Sequence, residues 1–131
     1  MMDILRKNSA PRYQRDNITS YLLVSERTCG SKNLSITLVE MEPGGVQHIH
    51  SHGPEQTYCI LQGSGIMTVG GERKAVAAGD CVFIPSFAEH SLENTGGGVL
   101  TYLSAASPSF TREESEKLWP LRSLDEEATK R

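Results

Sequence analysis

GGVQHIHSHGPEQTYCILQG, residues 44–63, is the stretch on which the fold of this chain turns. Histidines alternate at 48, 50 and 52, Gly53 and Pro54 follow, and an acid and an amide stand side by side as Glu55 and Gln56. In an extended strand successive side chains face opposite ways, so His48, His50 and His52 would share one face. Neutral imidazoles at i and i+2 converge on one ion when a distant strand completes the set. They suit Zn, Fe, Ni, Cu and, with oxygen co-ligands, Mn. His90, in PSFAEHSLEN (85–94), is the one histidine outside the cluster, and its β-type surroundings are what a ligand from a facing strand requires. A single strand histidine is more often solvated or hydrogen-bonded than a ligand; three in alternation inside a β pattern reverse that balance.

Outward from this stretch the chain is a series of short β-type runs broken by glycine-rich turns. They are SYLLVS (20–25), LSITLVEM (34–41), VQHIHSH (46–52), TYCILQGSGIMTV (57–69), KAVAAGDCVFIP (74–85), EHSLEN (89–94) and VLTYLSA (99–105). Short strands at this spacing predict an all-β sandwich or barrel. Gly70 and Gly71 form the two-residue signal of a primed hairpin turn, and Gly96, Gly97 and Gly98 mark another tight connection. After Pro108 the pattern changes. TREESEKLW opens with Thr111 and has Glu114 three residues on, a capping box that SLDE (123–126) repeats. A short C-terminal helical segment is expected, touching the barrel through Leu118, Trp119 and Leu121. The expected organisation is an N-terminal arm or edge strand (1–18), a β-barrel (19–107) and a helical extension (108–131).

The chain has 131 residues, enough for one domain with a single core. Its net charge is −3, and no block of like charges gives the footprint of a nucleic-acid binder. No apolar run reaches the roughly 18 residues of a membrane span, and the N-terminus lacks a secretory pattern. A cytoplasmic protein without nucleic-acid or membrane partners is expected. Cys29, Cys59 and Cys81 fall in no paired spacing, and Cys59 and Cys81 lie in apolar strand-like runs, so buried, reduced thiols are expected.

At the level of motifs, residues 44–63 resemble the first motif of the cupin superfamily. There a Gly, five residues, His-x-His, three or four residues, Glu, six residues and Gly recur. Residues 79–94, GDCVFIPSFAEHSLEN, resemble the second, with Gly79, Pro85, His90 and Asn94 in place and Phe87 where the family has Gly. The resemblance implies a double-stranded β-helix, or jelly roll, and a divalent transition metal such as Mn, Fe, Ni or Zn. Counting from Gly44 and Gly63 puts the ligands at His50, His52, Gln56 and His90, with an amide where the family carries Glu. The competing frame, His48, His50 and Glu55, has Glu42 instead of the first glycine and one residue too many before Gly63.

A glutamine ligand keeps an oxygen donor but removes a negative charge, leaving a stronger Lewis acid. That favours isomerase or lyase chemistry on a small sugar acid, keto acid or enol. A cupin-type dioxygenase or oxidase is the second reading, and a non-catalytic small-ligand-binding barrel the third. His48, Tyr58 and Tyr102 are the candidate proton-transfer residues. Phe83 and Phe87 are expected to line the cavity, Glu55 and Glu89 to be rim charges, and Asn94 to hold a turn. The arm and the open sheet edges lead us to expect a homodimer.

Overall fold

The computed structural model describes residues 1–118, so Trp119, Leu121 and the SLDE box lie outside the described residues. Among the described residues nine strands form two antiparallel sheets: β1 (Arg12–Arg15), β2 (Ile18–Val24), β3 (Ser35–Met41), β4 (Glu55–Gln62), β5 (Ser64–Val69), β6 (Glu72–Ala77), β7 (Cys81–Ile84), β8 (His90–Glu93) and β9 (Leu100–Ser107). The larger sheet has the order β1-β2-β3-β9-β4-β7 and the smaller β6-β5-β8. This is the expected all-β jelly roll, with two short helices, α1 (Glu26–Cys29) and α2 (Arg112–Leu118).

Strict alternation builds the interior. In β3 the buried residues are Ser35, Thr37, Val39 and Met41; in β9 they are Leu100, Tyr102, Ser104 and Ala106. Antiparallel register sets Met41 against Leu100, Val39 against Tyr102 and Thr37 against Ser104. The barrel is therefore graded. Met41, Ile60, Leu92 and Leu100 close one end as an apolar core, each side chain contributing about 1.5–3 kcal/mol by burial. Thr37, Ser104 and Gln56 leave the other end polar.

The turns follow the glycines. Gly70 and Gly71, with φ of 55° and 90°, make the expected primed hairpin between β5 and β6. The run 57–69 is two strands, because Gly63 has φ 86° and a side chain there would meet the Val99 carbonyl at 2.7 Å. The run 74–85 divides likewise at Gly79, φ 98°. Helix α2 starts on the expected box: Glu114 N–H donates to Thr111 Oγ1 at 3.1 Å, and Thr111 N–H donates to Glu114 Oε1 at 2.9 Å. A second box, Ser25 with Thr28, caps α1.

Three expectations need correction. Residues 46–52 are not a strand: only two isolated bridges, Val46–Glu93 and His50–His90, join them to β8. The pairing register slips by one residue between those bridges, so no continuous ladder forms. Cys81 is exposed and Cys59 half-buried, because both lie on the outer face of the larger sheet. Phe83 and Phe87 are 57% and 74% exposed, on the outside of the barrel.

Candidate metal centre

The irregular segment and β8 meet through a pair of backbone bonds. His90 N–H donates to the His50 carbonyl at 2.9 Å, and His50 N–H donates to the His90 carbonyl at 3.2 Å. Residues paired this way carry their side chains on one face, which brings two imidazoles together from positions forty residues apart in sequence. Two residues on, the His52 carbonyl accepts from Phe87 N–H at 2.8 Å, which holds the loop before β8 against the same segment. Ala88 N–H closes a turn onto the Pro85 carbonyl, and Phe87 stands in it with φ 63°. That conformation favours glycine, so Phe87 holds the position under local strain of roughly 1–2 kcal/mol.

His50, His52 and His90 each bring one ring nitrogen within 4.8 Å of the others. The chain itself selects which nitrogen. His50 Nδ1 faces the His48 carbonyl at 2.8 Å, His52 Nδ1 the Pro54 carbonyl at 3.0 Å, and His90 Nδ1 the Ala88 carbonyl at 2.9 Å. A carbonyl only accepts, so Nδ1 of His50 and of His90 carries the proton and their Nε2 keeps its lone pair. His52 faces an acceptor at both nitrogens, Gln56 Oε1 lying 2.8 Å from its Nε2, and frees that lone pair only when the amide turns over or a cation takes the place of the Nε2 proton. Such carbonyls at Nδ1 hold metal-binding histidines from behind. His90 Nε2 is fully buried and has no hydrogen-bond partner among the described residues. Leaving such an acceptor unpaired costs about 1–3 kcal/mol, and a cation at the centre of the cluster would remove that cost.

Burial lowers the pKa of His90 to about 4, helped by the neighbouring His50 and His52 rings and opposed by the Ala88 carbonyl. Burial also lowers His50, with the His48 carbonyl opposing. Both rings are thus neutral donors at neutral pH. In the metal-free protein the unfolded chain takes up this proton near 6.5, while folded His90 stays neutral down to about 4. Stability is therefore complete above the unfolded value and is expected to fall across that window, by about 3 kcal/mol in all for this completely buried ring. Urea midpoints of the wild type and His90→Ala at both ends of the window check this; the variant should lack that part of the slope.

The other residues singled out from the sequence occupy distinct places. Gln56 is buried, its Oε1 lying 2.8 Å from His52 Nε2 and its Nε2 donating to Ser104 Oγ at 2.6 Å. Glu55 is exposed on the opposite face of β4. Tyr58 and Tyr102 are buried and stacked, ring centroids 4.2 Å apart. Tyr58 Oη donates to Gln47 Oε1 at 3.1 Å, and Gln47 Nε2 donates to Tyr102 Oη at 2.8 Å. Burial pushes the Tyr58 phenol up to about 12 and Tyr102 well above its usual value. His48 is exposed, at the mouth of the cavity, and its backbone carbonyl anchors His50. Asn94 ties the far end of the motif, donating from Nδ2 to the Met41 and Gly98 carbonyls and accepting from Gly96 N–H.

A cavity of about 190 Å³ runs from His50, His52 and Gln56 outward past Tyr58 and Tyr102. Arg15 at the end of β1, Asp16 after it, His48, and Lys117 and Leu118 of α2 edge it. Sequence reasoning missed Arg15, Gln47 and Ser104. Ser104 had a signal, a small polar residue at an inward position of a β run; Arg15 had none, because its place depends on β1 folding onto β2.

A family model described as a cupin domain matches residues 37–105. The chain is 32% identical over 83 residues to an oxalate-binding protein of Thermotoga maritima, covering 63% of this chain and 69% of that protein. It is 31% identical over 88 residues to dimethylsulfoniopropionate lyase DddW of Ruegeria pomeroyi, covering 67% and 58% respectively. The chain spans 57% and 58% of the length of two of the curated relatives it matches, 69% of the oxalate-binding protein and only 17% of two others. Among solved structures, a predicted oxalate decarboxylase of Thermotoga maritima superposes with a TM-score of 0.72 at 25% identity, covering 81% of this chain and 99% of that one. With that family match spanning more than half of its residues, and with a jelly roll that gathers the histidines of both motifs, the chain belongs to the cupin family.

Proposed function

We propose that this cupin holds a divalent transition metal on His50, His52, His90 and the Gln56 amide oxygen, and acts as an isomerase or lyase on a small carboxylate-bearing sugar acid, keto acid or enol. The observation that carries the reading is the set of three imidazoles, each fixed through Nδ1 on a backbone carbonyl and each presenting Nε2 inward. Gln56 supports it, because Ser104 turns the amide oxygen toward the imidazoles. Turned over, the same amide would instead donate to His52 Nε2, so Gln56 is suited to serve both the empty and the loaded centre. Among the described residues no carboxylate joins the group, and a divalent ion there keeps its full charge as a Lewis acid able to polarise a carbonyl or enol.

The remaining roles fall to the chain's own side chains. Arg15 and Lys117 at the mouth offer cationic groups to a substrate carboxylate. Tyr58 and Tyr102 stay protonated and so do not act as bases; Tyr58 gives its O–H to Gln47 Oε1, Tyr102 accepts from Gln47 Nε2, and the stacked pair forms a fixed wall of the cavity. His48, at the water-facing rim, is the residue placed to exchange a proton with a ligand in the cavity. A cavity of about 190 Å³ that opens at the surface suits a small ligand, since a closed one of roughly 150 Å³ holds benzene. Oxalate and dimethylsulfoniopropionate, which the names of two relatives contain, are small carboxylates of that scale.

Incubating the metal-loaded protein with 2-keto acids and unsaturated uronates in heavy water, followed by proton NMR, tests the reaction class. Metal-dependent deuterium incorporation or product formation is expected. Oxygen uptake would replace this reading by the oxidase one. Saturable binding with no turnover would leave a binding protein, the reading that the oxalate-binding relative favours.

Two variants test the assignment of residues. Gln56→Ala should lower metal affinity at least about tenfold while Glu55→Ala leaves it unchanged, measured by competitive chelator titration. The reverse result restores the alternative frame. Arg15→Ala should weaken carboxylate binding about three- to tenfold, with little change in metal content, because an exposed charge in water contributes modestly.

A further inference from the structure

The outer face of the larger sheet carries a second reactive pair, on the side of β4 opposite Gln56 and Tyr58. Cys59 on β4 and Cys81 on β7 are register partners, and Cys81 Sγ lies 2.9 Å from Cys59 Sγ. Their neighbours Ile60 and Asp80 are joined by a backbone bond, Ile60 N–H to the Asp80 carbonyl at 2.8 Å. In an antiparallel ladder this makes Cys59 and Cys81 the closer-set kind of pair, with a typical Cα separation of about 4.5 Å. A disulfide accepts Cα separations of roughly 4.4–6.8 Å, so the bond can close without moving either strand far. Access is graded as well: Cys81 is exposed, on an edge strand, and Cys59 is half-buried beside it.

We propose that Cys59 and Cys81 form a redox pair that closes to a cross-strand disulfide by exchange with a small-molecule disulfide such as oxidised glutathione. The exposed Cys81 thiolate attacks the small disulfide, forming a mixed disulfide and releasing one glutathione thiol. The Cys59 thiolate then attacks the Cys81 sulfur, forming the Cys59–Cys81 bond and releasing the second. Two electrons pass from the protein thiols to the glutathione disulfide, and the two thiol protons end on the two released glutathiones. Nothing in this step involves the imidazole cluster, so it stands apart from the metal assignment.

The test is to expose the reduced protein to oxidised glutathione, alkylate, digest with trypsin and map by mass spectrometry. Cleavage after Arg73 and Lys74 separates the two cysteines. The expected product is a linked pair of peptides lighter by two hydrogens, with alkylatable thiols falling from three to one, the survivor being Cys29. Cys59→Ser should stop at a glutathione adduct on Cys81. The proposal is overturned if all three thiols stay free while a control protein's exposed thiol is glutathionylated. An adduct that persists on Cys81 of the wild type, or a link joining Cys81 of two chains, overturns it equally.

Discussion

His90→Ala is expected to purify without stoichiometric metal and to show no metal-dependent turnover. His90 is fully buried, and its Nε2 is a buried acceptor left without a partner among the described residues. Its ring centroid lies 4.1 Å from that of His50 and 4.9 Å from that of His52, so it closes the cluster. Loss of a group that merely orients a ligand costs about 10- to 100-fold in affinity, and loss of the ligand itself should exceed that. The effect on the metal-free fold is smaller, about 1–3 kcal/mol, because the cavity left behind is partly offset by removing an unsatisfied nitrogen. A chelator separates the two effects. With metal at about a thousand times its dissociation constant, the wild type gains roughly 4 kcal/mol, so chelation should lower its unfolding midpoint and leave the variant's unchanged. One bound metal per chain in His90→Ala, by elemental analysis, would sink the three-imidazole centre.

Much of this centre was legible in the sequence because periodicity and motif spacing carry it. The alternation of β3 and β9 showed in LSITLVEM and VLTYLSA, and Gly70-Gly71 announced its hairpin. What periodicity mishandled was the histidine segment. HIHSH alternates as a strand would, yet it is held by two isolated bridges and by backbone bonds to β8 whose register slips. Strand parity thus groups His50 with His52 rightly but makes His48 their equal. In the fold exposure falls along the segment, from exposed His48 through half-buried His50 to buried His52. The thiols and phenylalanines failed for a related reason. An apolar run says that one face of a strand is buried, not which residues lie on it, and Cys59, Cys81, Phe83 and Leu61 all fall on the outer face. Arg15, Gln47 and Ser104 matter through contacts with residues distant in sequence, which no local pattern records.

Gly65→Ala is expected to destabilise the protein by about 3 kcal/mol or more, a large share of a typical domain's 5–15 kcal/mol. Gly65 is buried in β5 between β6 and β8, and its backbone angles suit any residue, so the cost is purely one of space. A side-chain carbon there would run into the Glu93 carbonyl oxygen and lie 2.9 Å from Leu100 Cδ1. Leu100 can turn aside. The carbonyl belongs to β8, whose ladder pairs Glu93 with Ile66, Leu92 with Met67 and His90 with Val69, so relief means shifting the strand that carries His90. Metal affinity should therefore fall together with stability. Gly97→Ala is the control, because a side chain there meets nothing within 4 Å, and it should stay within about 0.5 kcal/mol of wild type. Urea unfolding with an unchanged slope reads both. If Gly65→Ala matches Gly97→Ala, β8 has freedom to move away from β5, and the placement of His90 must come from its bridge to His50 alone.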